Sequence, residues 1–226
     1  MVRHFIYDAL FLCALAVASG HAQNRGTFVD SRDGREYKWT AIDGVVWMAE
    51  NLNYGKLHKT PADCVDEWDG ACKLCYNNDS RKCDMYGGLY DYDDAVKSCP
   101  PGWRLPNQNE WLALKERSEK SGLRSNKQDS WDVYQYDFGS YLAEGNQLGW
   151  SALPGGDYSS EYNGFGHIGM EARWWVNNGN GGLESWGGDL GCYSCSESVM
   201  TLTGGGSLEH EAASCCDAVS VRCVKD

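Results

Sequence analysis

The stretch from Asp91 to Glu119 limits the fold more than any other, because it dictates two helices and a rigid corner between them. The Asp91 carboxylate can take up orphan amide protons at the start of a helix running from about Tyr92 to Ser98. Cys99-Pro100-Pro101-Gly102 ends that helix, since proline has no amide proton and clashes with the preceding turn. Asn107 and Glu110 then stand at the spacing of a capping box, which opens a second helix. On it Trp111, Leu114 and Ser118 share one face, with Lys115, Glu116 and Glu119 elsewhere.

The flanking sequence is sheet-like. From Thr27 to Ala49, Asp33-Gly34 and Asp43-Gly44 each carry the signature of a two-residue hairpin turn. Between them Tyr37, Trp39 and Ala41 alternate with Glu36, Lys38 and Thr40, and afterwards Val45, Trp47 and Ala49 share a face. A three-stranded meander with Trp47 in the core is expected. Downstream, Arg173-Trp174-Trp175-Val176, Val199-Met200-Thr201-Leu202 and the run from Val219 to Val224 read as strands between glycine-rich turns. The expected class is α+β: two short helices, antiparallel sheets and long glycine-rich loops, stabilised by disulfides. No repeat of fixed period and no low-complexity linker divides the chain, so a single domain is expected.

Eleven cysteines in 226 residues belong to an oxidising compartment. Residues 1–22 have the make-up of a secretory signal peptide: Arg3 and His4, an apolar run from Ala9 to Ala18, then Gly20-His21-Ala22 as a small-x-small cleavage site. That run is well short of the roughly 20 residues that span a bilayer. Its removal takes away Cys13 and leaves an even number of cysteines, as a disulfide framework prefers. The mature domain is read as 23–226, exported to the periplasm, the cell surface or the medium. Within it residues 55–84 lose periodicity and gather Cys64, Cys72, Cys75 and Cys83 among acidic and amide residues. A net charge of −12 argues against nucleic acid and anionic membrane surfaces as partners.

Several segments together resemble a known bacterial family. They are Val46-Trp47-Met48-Ala49-Glu50-Asn51-Leu52-Asn53-Tyr54, Gly88-Leu89-Tyr90, Ala95, Cys99-Pro100, Gly102-Trp103-Arg104-Leu105-Pro106, Glu110-Trp111 and Ser220-Val221-Arg222-Cys223-Val224. This set resembles the Fibrobacter succinogenes major paralogous domain, which implies a C-type-lectin-like fold. Against that pattern the cysteine-rich segment at about 55–84 is an insertion. The resemblance also implies a disulfide between Cys99 and Cys223, joining the end of the first helix to the last strand. Cys64, Cys72, Cys75, Cys83, Cys192, Cys195, Cys215 and Cys216 then remain to be paired, and a Cys64–Cys83 bridge across the insertion is the first choice.

The chemistry-bearing motifs point to binding rather than catalysis. Cys72/Cys75 and Cys192/Cys195 are C-x-x-C pairs that would suggest zinc in a cytosolic chain; behind a signal peptide they read as disulfides. The same fold class includes formylglycine-generating enzymes with a late paired-cysteine copper site. Cys192 and Cys195 sit where such a pair would be sought, but their spacing is tighter and their surroundings do not match. A copper-dependent oxidase is therefore the remote alternative. No metal or cofactor is expected, with calcium left open because C-type lectins hold it with loop carboxylates and amides. The Glu-Pro-Asn and Trp-Asn-Asp signatures of sugar-binding members are absent, and Asp91, Asp93 and Asp94 read as a helix start. His58, His167 and His210 have no adjacent nucleophile, and neither G-x-S-x-G nor H-E-x-x-H occurs, so no enzyme is expected.

The binding reading rests on Trp150, Trp174, Trp175 and Trp186, with Asn177, Asn178, Glu184 and Asp189 as polar neighbours. An exposed indole offers a flat face to a sugar ring while amides and carboxylates bond its hydroxyls. Alternation turns one of Trp174 and Trp175 inward, and Trp186 beside Gly187-Gly188 is the best candidate for exposure. The expected function is an exported, non-enzymatic module that binds carbohydrate or another cell-surface ligand. The alternative is a protein-interaction or structural surface domain whose loops are a variable display. The partner is accordingly a polysaccharide or a surface protein.

Overall fold

The computed structural model describes residues 24–63, 70–120, 148–179, 196–203 and 208–226. In chain order its strands and α-helices are β1 Arg25–Val29, β2 Glu36–Ile42, β3 Val45–Met48, β4 Lys56–His58, β5 Cys72–Leu74, α1 Ser80–Tyr86, β6 Leu89–Tyr90, α2 Tyr92–Ser98, β7 Trp103–Arg104 and α3 Gln108–Lys120. The second half supplies β8 Asp157–Ser159, β9 Gly164–Gly166, β10 Glu171–Trp175, β11 Ser196–Thr203, β12 Leu208–Ser214, β13 Val219–Ser220 and β14 Val224–Lys225. The class is α+β, dominated by sheet.

The helices form for the reasons legible in the chain. Asp91 caps α2 by accepting from the Asp94 amide at 2.8 Å, and Lys97 pairs with Asp94 one turn on at 2.9 Å. At α3 the box closes reciprocally: Glu110 N–H donates to Asn107 Oδ1 at 3.0 Å, and Asn107 N–H donates to Glu110 Oε2 at 2.8 Å. Arg104 adds a two-pronged ion pair to the same Glu110, at 2.9 and 2.8 Å. Trp111, Leu114 and Ser118 face inward together. A third helix, α1, lies at the end of the cysteine-rich segment, capped by Asp79 and not expected from periodicity.

The meander β1-β2-β3 is present, but its two turns differ. Asp43 and Gly44, with φ of 48° and 88°, make the tight turn that joins Ile42 to Val45. The first turn is not a two-residue hairpin, because Val29 already pairs with Glu36 and residues 30–35 form the loop. Asp30 explains it. Its buried carboxylate accepts the Arg32 backbone amide at 3.0 Å, which bends the chain just after Val29, and the Arg32 guanidinium at 2.7 and 2.9 Å. The Arg32 guanidinium in turn lies 3.6 Å over the Tyr54 ring and donates to the Cys99 carbonyl at 3.2 Å.

Two sheets are knitted by the last segment of the chain. One runs β1-β2-β3-β14-β7 and the other β12-β11-β10-β13-β6-β5-β4, with β8-β9 a separate hairpin. The run expected as one strand from Val219 to Val224 thus splits. Val219 and Ser220 pair with Tyr90, Leu89 and Trp174 in the larger sheet, whereas Val224 pairs with Trp47 and Arg104 in the smaller. Between these pairings, Val221, Arg222 and Cys223 are fully buried. The Cys99–Cys223 disulfide then ties the segment to the end of α2, across a separation of 124 residues. Cys83 bonds Cys75 rather than Cys64, because α1 turns Cys83 back onto the strand β5 that precedes Cys75. Cys72, Cys215 and Cys216 are also in disulfides, while Cys64, Cys192 and Cys195 lie outside the described residues.

Candidate functional site

Three of the tryptophans expected to meet a ligand belong to the core. Trp150, Trp174 and Trp175 have no exposed surface. Trp174 and Trp175 point to opposite faces of β10, yet both are enclosed, because β10 lies between β11 and β13 and is covered on each face. Trp150 meets Trp47, Trp111 and Trp174 at ring distances of 6.1, 5.9 and 5.2 Å. Asn177 ties its loop to the helix corner by donating its amide to the Pro106 carbonyl at 2.8 Å, and Asn178 donates to Glu197 at 2.7 Å. Glu184, Trp186 and Asp189 lie outside the described residues.

At the centre of this core is a cation. The Arg222 guanidinium stacks 4.2 Å over the Trp150 ring and donates to Asn51 Oδ1 through Nε at 3.1 Å and Nη2 at 2.6 Å. The Met48 carbonyl at 3.2 Å and the Ser151 carbonyl complete its shell. Asn51 Oδ1 also receives the Trp174 indole N–H at 2.9 Å. Burial lowers the arginine to about 9, so it keeps its charge at neutral pH. Asn51, Trp47 and Arg222, which carry the family resemblance, are therefore structural.

The described tryptophans that reach solvent are Trp39 and Trp103. Trp103 is stacked on Phe28 at 4.5 Å. Trp39 stacks on no other ring among the described residues and lines a cleft of 530 Å³. That volume is within the usual range for small-ligand sites. The Trp39 indole can lie across β1 because its cross-strand partner is Gly26; a Cβ there would come within 2.9 Å of the ring. Around the indole stand Arg25 and Lys38, the Glu50 carboxylate, Ser151, Leu153 and the exposed Met85. Glu50 is oriented by accepting the Lys38 backbone amide at 2.9 Å. Met85 is placed by α1, so the cysteine-rich segment builds one wall, and the Cys75–Cys83 bridge holds that wall in position.

None of these cleft residues was singled out as a site from sequence. The cross-strand pairing of Gly26 with Trp39 is the signal, and it becomes visible only once the register of β1 against β2 is known.

A second polar cluster sits on the β8-β9 hairpin. The buried Asp157 accepts from Arg173 at 2.7 Å and lies 2.9 Å from His167 Nδ1. The hydrogen bond to Asp157 raises the His167 imidazole above its ordinary value. Arg173 also reaches Glu211 at 3.7 Å, so the cluster links the hairpin to β12. Among the described residues no group of three His, Cys, Asp or Glu side chains is placed to hold a metal ion, and no helix is long and apolar enough to cross a membrane.

Comparison with curated proteins yields no match, and neither does comparison with solved structures. Residues 40–225 match the family model described as the Fibrobacter succinogenes major domain. They take in the Trp47, Asn51 and Arg222 core and both ends of the Cys99–Cys223 bridge, and the chain belongs to that family.

Proposed function

We propose that this is an exported, non-enzymatic binding domain of C-type-lectin-like fold, and that it holds carbohydrate in the Trp39 cleft. The observation that carries the reading is the partly buried Trp39 indole, set in a 530 Å³ cleft beside cationic donors and a carboxylate acceptor. A sugar presents an apolar ring face and hydroxyls that both donate and accept. The face suits an indole, and the hydroxyls suit Arg25, Lys38, Glu50 and Ser151. Export is supported by the signal-peptide pattern of residues 1–22 and by the disulfides. The acidic chain disfavours nucleic acid.

The test is a glycan-array and polysaccharide-retardation screen of the oxidised protein, with calcium and with chelator, on the native chain and Trp39→Ala. Binding that weakens about two- to tenfold in Trp39→Ala is expected, in line with one lost aromatic contact. Binding abolished by chelator would put calcium in the site. Binding indifferent to Trp39, or no glycan bound at all, would overturn the proposal. A surface-protein partner is the second reading, favoured by Met85, which is 57% exposed on the cleft wall.

A further inference from the structure

A second, smaller cavity of 70 Å³ adjoins the Trp39 cleft, and the two share Glu50, Met85 and Leu153 as lining. The two hollows are therefore neighbours, and these three residues stand between them. At one end are Arg25 and Gly149, and at the other are Arg35, Glu36 and Asp84. Asp84 and Arg35 form an exposed pair at 3.1 Å. A terminal-sugar site needs an enclosed pocket with convergent polar groups around one ring. Here polar groups of both signs recur along the groove, with apolar Trp39, Met85 and Leu153 on its near stretch.

Resting on the carbohydrate reading above, we infer that the ligand is an internal stretch of a glycan chain, lying along the groove from Trp39 to the Arg35–Asp84 pair. Successive sugars repeat a hydroxyl edge, so one ring can lie on Trp39 while the next ones offer hydroxyls to the polar side chains beyond it. The hydroxyls find donors in the guanidinium groups and acceptors in Glu50, Glu36 and Asp84. The three carboxylates Glu36, Glu50 and Asp84 are matched by Arg25, Lys38 and Arg35, a balance that suits a neutral chain. Asp84 and Met85 are consecutive residues of α1, so the cysteine-rich segment supplies the wall common to both cavities. On this account the segment extends the binding site.

The experiment is calorimetric titration of the oxidised full chain with cello-, xylo- and manno-oligosaccharide ladders running from disaccharide to octasaccharide. For whichever ladder binds, affinity should rise about tenfold or more from disaccharide to hexasaccharide, the equivalent of about 1.4 kcal/mol. Asp84→Ala should remove most of that gain, so that hexasaccharide affinity falls several-fold more than disaccharide affinity. Trp39→Ala should weaken every length alike. Affinity already complete at the disaccharide, or Asp84→Ala acting equally at all lengths, would overturn the extended groove and leave carbohydrate binding intact. No binding by any ladder, together with no binding in the glycan screen, would sink both.

Discussion

Trp150 is enclosed by three other indoles and lies 4.2 Å beneath the Arg222 guanidinium, whereas Trp39 stacks on no ring among the described residues and borders an open cleft. Both are tryptophans in acidic, glycine-rich sequence, and both have arginine nearby. What separates them is strand position. Trp150 packs against Trp174 of the central strand β10, whose two faces are both covered, while Trp39 sits on β2 against the sheet-edge strand β1. A central position lets an indole stabilise the fold through buried area and ring contacts. An edge position leaves it a free face. The family-matching residues cluster in the first setting, and the Trp39 cleft lies in the second with a wall built by the cysteine-rich segment.

The largest expected effect tests what holds the core together. Replacing Cys99 and Cys223 by Ser should remove about 4–5 kcal/mol, from the long loop the bridge closes, and lower the urea midpoint accordingly. An unchanged midpoint would mean that strand pairing alone secures the last segment.

Trp150→Ala should cost about 3–5 kcal/mol of stability. Trp39→Ala should cost less than about 1 kcal/mol. Its effect belongs to binding instead, and a reversal of the two in paired denaturation and titration experiments would erase the distinction between core and cleft.

Cys75→Ser with Cys83→Ser should cost about 2–3 kcal/mol for its short loop. It should also loosen α1 and lower affinity for long oligosaccharides more than for short ones. Equal affinity at all lengths in this variant would detach the cysteine-rich segment from the site.

The smallest effect is on pH dependence. Burial, then the nearby Asp94 and Asp93 charges, push Asp91 up to about 7 despite the amide it caps. The folded state therefore binds that proton more tightly than the unfolded chain. This contribution to stability is fully present below the ordinary aspartate range and is lost as pH rises through about 7. His167, raised by Asp157, acts in the same sense above its ordinary value of 6.5. Asp91→Asn keeps a capping oxygen and should flatten the slope of stability between pH 4 and pH 7, as measured by denaturation at fixed intervals. An unaltered slope would remove Asp91 from the account.

Much of the framework was legible because its causes are local. The Asp91 cap, the Asn107–Glu110 box, the Asp43-Gly44 turn and the strand of Trp174 and Trp175 each depend on a few neighbouring residues. The first hairpin was misjudged because a buried Asp30 carboxylate, invisible as such in the sequence, demanded Arg32 and a longer loop. The helix α1 could have been caught from Asp79 and Gly87 at its two ends, although it has no apolar stripe to announce it. The site was not legible. Trp150 opens a glycine-rich stretch, Trp174 and Trp175 stand on a strand that alternation would leave with one open face, and only the layers on both sides of β10 show all three to be core.

By itself the sequence determined the family, the α+β class, the capped helices and the Cys99–Cys223 bridge that the family resemblance implied, because motif and capping chemistry are local and the resemblance spans most of the chain. Tertiary structure alone decided which indoles are buried, that Cys83 bonds Cys75, that Arg222 sits among tryptophans, and that Trp39, Glu50 and Met85 share a cleft. The Cys75–Cys83 bridge closes over eight residues through the turn of α1, whereas the other outcomes depend on strand order and register between segments far apart in the chain, where a one-residue slip would turn each side chain to the other face.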